Sequence, residues 1–361
     1  MAIKFSIAEK MDEKNSVDKI CEDIGEINPS LVIFFASSKH DIGLVGNELK
    51  NKMNTKVVGC TTSGELASGH MLKESVVAMG FDSETVSNIS INNIDVNAIS
   101  DSKIIEKVKN DIGVEPKQLD PEKHLGMIFI DGMSGKEEVV MDAIGRQFLI
   151  PVVGGSAGDD LKFSETYVFD NDNSKKGTAV LTVLEIPHGF DILKTQSFSD
   201  TGKKLMPTKV DEPKRQVIEF NNEPALEAYA KTIEKGKEEA KESFMTHPVG
   251  LMIGDDPYVR SPQRAEGDTM YFYCQIKEGT ELSVLKSEDI VESTREFVNK
   301  AEGAKGLINF NCILRTLELE KKNQTQEYAD LFVNIPTIGF STYGEQFIGH
   351  INQTSTMVVF K

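Results

Sequence analysis

One order of elements recurs three times in this sequence, and a chain that repeats itself in this way is committed to a repeated architecture before any single motif is weighed. The first copy runs from Leu31-Val-Ile-Phe-Phe-Ala-Ser37, through a helix expected over 41–53, to Val57-Val-Gly-Cys-Thr-Thr-Ser-Gly-Glu-Leu66, and closes on Ser75-Val-Val-Ala-Met-Gly-Phe81. The second has Leu125-Gly-Met-Ile-Phe-Ile-Asp131, a helix expected over about 136–148, Val152-Val-Gly-Gly-Ser-Ala-Gly-Asp-Asp-Leu161, and Gly177-Thr-Ala-Val-Leu-Thr-Val-Leu184. The third has Gly306-Leu-Ile-Asn-Phe-Asn-Cys-Ile-Leu314, a longer connection, Thr337-Ile-Gly-Phe-Ser-Thr-Tyr-Gly-Glu-Gln346, and Gln353-Thr-Ser-Thr-Met-Val-Val-Phe360. Short runs of Val, Ile and Phe alternating with helical segments predict an α/β fold. Its repeated strand, helix, strand, strand units would form sheets covered by helices, in two halves.

Glycines fall at equivalent strand ends, Gly59, Gly154 and Gly339, and again shortly after, Gly64, Gly158 and Gly344. A tight, partly left-handed turn requires such residues. Each turn also carries Ser or Thr and an acid. Two readings follow: the three segments are only turns, or three equivalent polar turns frame a site.

With 40 basic against 57 acidic residues, the net charge of −17 argues against nucleic acid, since a polyanion needs a basic groove that releases counterions. Anionic membrane surfaces are disfavoured for the same reason. Charges enter the N-terminal segment before a signal-peptide core can build up, and apolar runs such as 31–36 and 127–130 are too short to span a bilayer. The expectation is a cytoplasmic protein without membrane insertion. Cys21, Cys60, Cys274 and Cys312 show no C-x-x-C spacing, so neither a disulfide nor a zinc site is expected. The stretches 199–208 and 211–214 are polar and interrupted by Pro and Gly, which reads as an exposed connection between domains spanning 1–205 and 206–361. Beyond it, a helix should start at Pro224 and bury Leu226, Tyr229, Ala230 and Ile233, its continuation 234–242 being a charged exposed face.

Gly154-Gly-Ser-Ala-Gly158 matches G-x-S-x-G and would nominate Ser156 as a nucleophile. Such an elbow needs a helix directly after the serine, whereas the residues from Asp159 onward read as turn and strand. Asp131-Gly-Met-Ser-Gly-Lys136 lacks the spacing of a phosphate loop, and no G-x-G-x-x-G is present. The six histidines, at 40, 70, 124, 188, 247 and 350, show no metal-ligand spacing. Arg315 is placed by its apolar neighbours at the end of a strand, near the polar turns, where it could hold a carboxylate ligand by two hydrogen bonds or form a surface ion pair; Arg260 is a weaker case.

Val58-Gly-Cys-Thr-Thr-Ser-Gly-Glu-Leu66, Val152-Val-Gly-Gly-Ser-Ala-Gly-Asp159, Glu223-Pro-Ala-Leu-Glu-Ala-Tyr229, Asn311-Cys-Ile-Leu-Arg315 and Gly339-Phe-Ser-Thr-Tyr-Gly-Glu345 with Asn352-Gln-Thr354 together resemble the FIST family of sensory domains, from about residue 28 to the end. The resemblance implies a FIST N-like and a FIST C-like half. It implies a small-ligand sensor, with amino acids as suggested ligands, that acts with histidine kinases, chemoreceptor modules or cyclic-dinucleotide enzymes. No output module follows Lys361, so a separate signalling partner is expected. Cys60, Thr61, Gly155, Ser156, Asp159, Arg315, Glu345 and Asn352 are the candidate ligand-binding residues, for a polar or anionic metabolite. Two alternatives stand beside this one: a hydrolase or transferase using Ser156 or Cys60, and a haem-based nitric oxide sensor, which a subgroup of the family resembles. Haem would need an axial donor in an apolar pocket, with His188 and His350 as candidates; the expectation is no cofactor.

Overall fold

In each copy the apolar strand lies parallel to the glycine-bearing strand and antiparallel to the closing one. Leu31–Ser37 pairs in this way with Lys56–Thr62 and Ser75–Phe81, His124–Ile130 with Val152–Ser156 and Thr178–Glu185, and Gly306–Cys312 with Thr337–Thr342 and Thr354–Phe360. Parallel neighbours need a crossover. Helices Ile42–Met53 and Glu137–Gln147 supply it in the first two copies, and Ile313–Lys322 with Thr325–Asp330 in the third. A further strand flanks each closing strand: Ile3–Glu9, Asn88–Asp95 and Phe190–Gln196. The expected mixed α/β repeat is therefore present in a computed structural model that describes residues 1–361.

The copies also exchange hairpins. Glu65–Ala67 and His70–Leu72, which follow the first copy's glycine-bearing strand, add to Thr337–Thr342 in the third. Glu345–Phe347 and Gly349–Ile351 add to Val152–Ser156 in the second, and Val168–Phe169 with Ser174–Lys175 add to Lys56–Thr62 in the first. Each donation completes a six-stranded sheet, and the three donations form a closed cycle.

The register makes the repeat quantitative. Gly59, Gly154 and Gly339 sit opposite Phe34, Ile128 and Asn309, and a Cβ on them would lie only 2.3, 1.8 and 2.1 Å from the carbonyl oxygens of those partners. These three are thus strand residues whose glycine identity permits close backbone approach, rather than turn residues. One position on from the partners stand Phe35, Phe129 and Phe310, whose ring centroids are 5.5, 6.3 and 6.2 Å apart. Each repeat contributes the same phenylalanine to one shared core, with Phe340 packed 4.6 Å from Phe35.

Contacts divide the chain into two compact units: Met1–Lys194 with Arg295–His350 and Ser355–Lys361, and Thr195–Thr294 with Ile351–Thr354. All three copies fall mainly in the first. The second has its own core, where Leu226, Tyr229 and Ala230 of helix Ala225–Thr232 pack with Val217, Phe220 and Met270 as the periodicity predicts. Two local readings are corrected there. The helix does not continue through 234–242, because Glu234 turns left-handed (φ 60°) and a separate helix, Lys237–Glu242, follows. The polar stretch from 199 is not a connection: Phe198–Leu205 and Pro207–Asp211 are strands, the first largely exposed along its length, so its polarity reported exposure rather than loop. No helix is long and apolar enough to cross a membrane.

Candidate functional site

After its glycine-bearing strand, each copy has to reach the edge of a neighbouring sheet. The first and third do so in two residues, 63–64 and 343–344, whereas the second uses eleven, 157–167. The two short turns are chemically alike. The Thr62 hydroxyl donates to Glu65, and Thr342 Oγ1 donates to Glu345 Oε1 at 2.5 Å, both carboxyls being buried. Burial pushes the Glu65 pKa up to about 8, against the opposing effect of bonds from Thr62 and from the Ser75 N–H.

The long connection is built differently. Its ends are fastened to the strand Lys56–Thr62: Gly158 N–H donates to Thr61 O (3.0 Å), Asp160 N–H to Thr62 O (3.2 Å) and Tyr167 N–H to Thr61 Oγ1 (3.0 Å). Its middle is gathered onto Asp159, whose Oδ1 accepts from Phe163 N–H (2.9 Å) and whose Oδ2 accepts from the N–H groups of Ser164 (2.6 Å) and Glu165 (3.0 Å). The Tyr343 hydroxyl, from the third copy's short turn, also donates to Asp159. Burial alone would raise this carboxyl's pKa, but the donors together outweigh it and hold it below the usual range. Asp160, Leu161 and Phe163 are left-handed, with φ of 56°, 63° and 51°. Such backbone in non-glycine residues costs roughly 1–3 kcal/mol each and persists only where surrounding bonds over-determine it.

This strap borders a cleft of about 430 Å³. One wall comes from the C-terminal ends of two parallel strands and the entry to helix Ile42–Met53: Ser38, His40, Asp41, Ile42 and Thr61. The other comes from Asp159, Lys162, Ser164, Glu165 and Tyr167, with Ser174 of the exchanged hairpin. In open α/β sheets ligands bind outside the carboxyl ends of the strands. Lys162 Nζ donates to Ser38 Oγ (2.8 Å), and Glu165 accepts from Tyr167 Oη (2.6 Å) and Lys176 Nζ (2.9 Å). Asp41 caps the helix through Leu44 N–H (3.0 Å). His40 has a side chain only 8% exposed, with Nδ1 3.6 Å from Glu13 Oε1, and its buried Nε2 has no hydrogen-bond partner. The cleft therefore offers both signs of charge: the Lys162 ammonium group, which favours an anion, and the Asp41 carboxylate at the helix entry, which favours a cation.

Of the eight candidate residues, Thr61 and Asp159 line this cleft. Cys60 lies opposite Phe35 in the core, where burial pushes its thiol pKa well up. Gly155 and Ser156 are in the strand Val152–Ser156; Ser156 Oγ donates to Glu137 Oε1 (3.2 Å) and accepts from Gln346 Nε2 (3.1 Å). No helix follows Ser156, so the G-x-S-x-G segment is not a nucleophile elbow.

Arg315 does not end a strand. Cys312 does, and the helix begins at Ile313, which puts Arg315 in its first turn and leaves it 1% exposed rather than in a surface pair. Its Nε donates to Asn311 Oδ1 (3.0 Å), which also accepts from Tyr328 Oη (3.1 Å), and Asn311 Nδ2 donates to Thr316 Oγ1 (3.0 Å). Glu345 belongs to the third copy's short turn, described above. Asn352 belongs to the second compact unit, where its Oδ1 accepts from Cys274 Sγ (2.8 Å). His188 is exposed, whereas His350 is buried with Nδ1 3.3 Å from Gln346 Nε2.

Residue-by-residue motif reading missed Ser38, His40, Asp41, Lys162, Ser164, Glu165, Tyr167 and Ser174. A signal for the strap was nevertheless present, in the length of the second copy between its glycine turn and its next strand.

Two family models match the chain: the FIST N domain over residues 30–223 and the FIST C domain over 225–348. An uncharacterized protein of Methanocaldococcus jannaschii is 25% identical over 301 residues, which cover 78% of this chain and 58% of that relative.

Proposed function

Because the chain belongs to the FIST family, whose domains are sensory, ligand-binding domains of signal transduction, we propose that it senses a small polar metabolite in the cleft beside 157–167. The observation that carries this reading is the asymmetry among the copies. Two close their sheets with two residues, while the one that spends eleven surrounds a polar cleft at parallel strand ends. A zwitterion such as an amino acid suits the lining, its carboxylate toward Lys162 and its ammonium toward Asp41 at the helix entry. The filled protein signals to a separate partner, such as a histidine kinase or chemoreceptor module, in the cytoplasm. The protein is a binder rather than an enzyme: Cys60 faces an apolar core, and Ser156 is buried between Glu137 and Gln346 without an elbow helix.

The test is a thermal-shift screen with amino acids, amines and organic acids. A ligand binding only the native state stabilises it by about 2.7 kcal/mol at 100 times its Kd. Ser174→Leu, which fills the cleft, should abolish that shift while far-UV circular dichroism stays unchanged. A ligand shift that survives Ser174→Leu but disappears in Arg315→Lys would move the site to the third copy, and turnover of the bound compound would reject the sensor reading.

A further inference from the structure

The strap is fastened unevenly. Its ends share backbone bonds with Thr61 and Thr62; between them three N–H groups converge on Asp159, the Ser37 and Ser38 hydroxyls donate to Asp160 Oδ2 (3.0 and 2.6 Å), and Lys162 and Glu165 are held by Ser38 and Lys176. Leu161 and Phe163 project outward, 39% and 51% exposed, from left-handed backbone. Tyr343 joins Ser37, Ser38 and Lys176 in holding this segment, and it reaches the Asp159 anchor directly. The Tyr343 hydroxyl donates to Asp159 and accepts from Leu161 N–H (2.9 Å), and its ring stacks on Phe163 at 5.2 Å and 19°. Tyr343 itself lies in the third copy's short turn, where its N–H donates to Ser156 O (3.1 Å), immediately before the strap begins.

We propose that 160–165 form a lid on the cleft, latched by Tyr343 on Asp159, and that release of this latch is the conformational change by which a filled cleft is read. The proposal rests on the cleft being the ligand site. Strained segments beside a binding site that are held mainly by side-chain bonds rather than by a sheet are suited to gating, because those bonds can be exchanged without unfolding the strands beneath. Lys162 and Glu165 ride on the lid and also face the cleft, so a ligand that competes for the Lys162 bond to Ser38 acts directly on the closed state. The same movement loads Tyr343, and with it the turn that leads into the hairpin Glu345–Phe347 on the second copy's sheet.

The test needs no knowledge of the ligand. Ser174→Cys places a thiol in the cleft, and its modification by 5,5′-dithiobis(2-nitrobenzoate) reports access, the unsubstituted chain with its four native cysteines being the blank. Adding Tyr343→Phe, which keeps the ring but removes the latch hydroxyl, should speed that modification at least tenfold. Amide hydrogen exchange across 160–165 should rise equally, while 31–37 and 56–62 stay protected. Unchanged labelling and exchange would overturn the lid. So would faster exchange spread through those two strands, since Tyr343 would then be a prop for the sheet. If the lid fails while Ser174→Leu still abolishes ligand stabilisation, the binding site stands without it; if Ser174→Leu has no effect, the site itself is lost.

Discussion

The turn at 63–64 and the strap at 157–167 leave equivalent strands and reach equivalent sheet edges, yet one is a two-residue bend and the other a strained loop around a cleft. The short version, used twice, shows what closing the hairpin cycle requires. Whatever the long version adds between its buried ends, Ala157 and Thr166, is therefore surplus to closing that cycle. A second contrast points the same way. The helix-facing positions of the first strands hold Phe34 and Ala36 in copy one and Ile128 and Ile130 in copy two, but Asn309 and Asn311 in copy three, where a buried polar network replaces apolar packing. Equivalence in the core and divergence at the periphery separate what the repeat holds together from what each copy contributes.

The sharpest way to break this comparison is at the shared centre. Phe310→Ala should cost about 3–5 kcal/mol, as deletion of a buried aromatic in a packed core does, read as a lowered midpoint in urea denaturation. Phe35→Ala and Phe129→Ala should fall in the same range, and a copy-specific difference larger than that spread would undo the claim of equivalence.

A smaller effect belongs to the short turns. Glu65 holds its proton in the native state up to about pH 8, whereas unfolded it would lose it near 4.5. The native form therefore binds more protons across that interval, and stability contributed by the neutral carboxyl falls as pH rises through it, by on the order of 1 kcal/mol per pH unit. Glu65→Gln should flatten this slope in urea titrations between pH 5 and 8; a variant whose slope matches the parent's would show that the buried glutamate titrates normally.

The smallest effect is expected where the chain differs most. Replacing 159–165 with Ser-Gly, the sequence of the first copy's turn, keeps the buried Ala157 and Thr166 and should change unfolding free energy by less than about 1 kcal/mol, since the removed backbone includes three left-handed residues whose strain offsets their bonds. It should abolish ligand stabilisation altogether. A loss of folding on this replacement would mean that the strap is structural.

Much of the architecture was legible from local pattern. The helices over 42–53 and 137–147 and the nine strands of the three copies follow from local pattern, because a helix buries residues about every 3.6 positions and a strand covered on both faces is one continuous apolar run of strand length. The candidate site was less legible. Thr61 and Asp159 were found through glycine turns, but Ser38, His40 and Lys162 have no local signature, since an exposed polar residue and a cleft residue look alike until another segment passes beside them.

By itself, the sequence determined that there are three copies, where each begins, and which runs are buried strands; these are properties of neighbouring residues along one chain. Only the tertiary structure decided that each hairpin crosses to a different copy, that Gly59, Gly154 and Gly339 admit a carbonyl rather than make a turn, and that Arg315 is enclosed in a helix rather than placed at a strand end. The segment 195–294 likewise packs as a unit of its own while the third copy returns to the first two. For the sheets the reason is that pairing partners up to some 270 residues apart leave no period in the sequence, because register and crossover are chosen by the total surface buried when the sheets close; for Arg315 it is that an apolar run does not mark where strand gives way to helix.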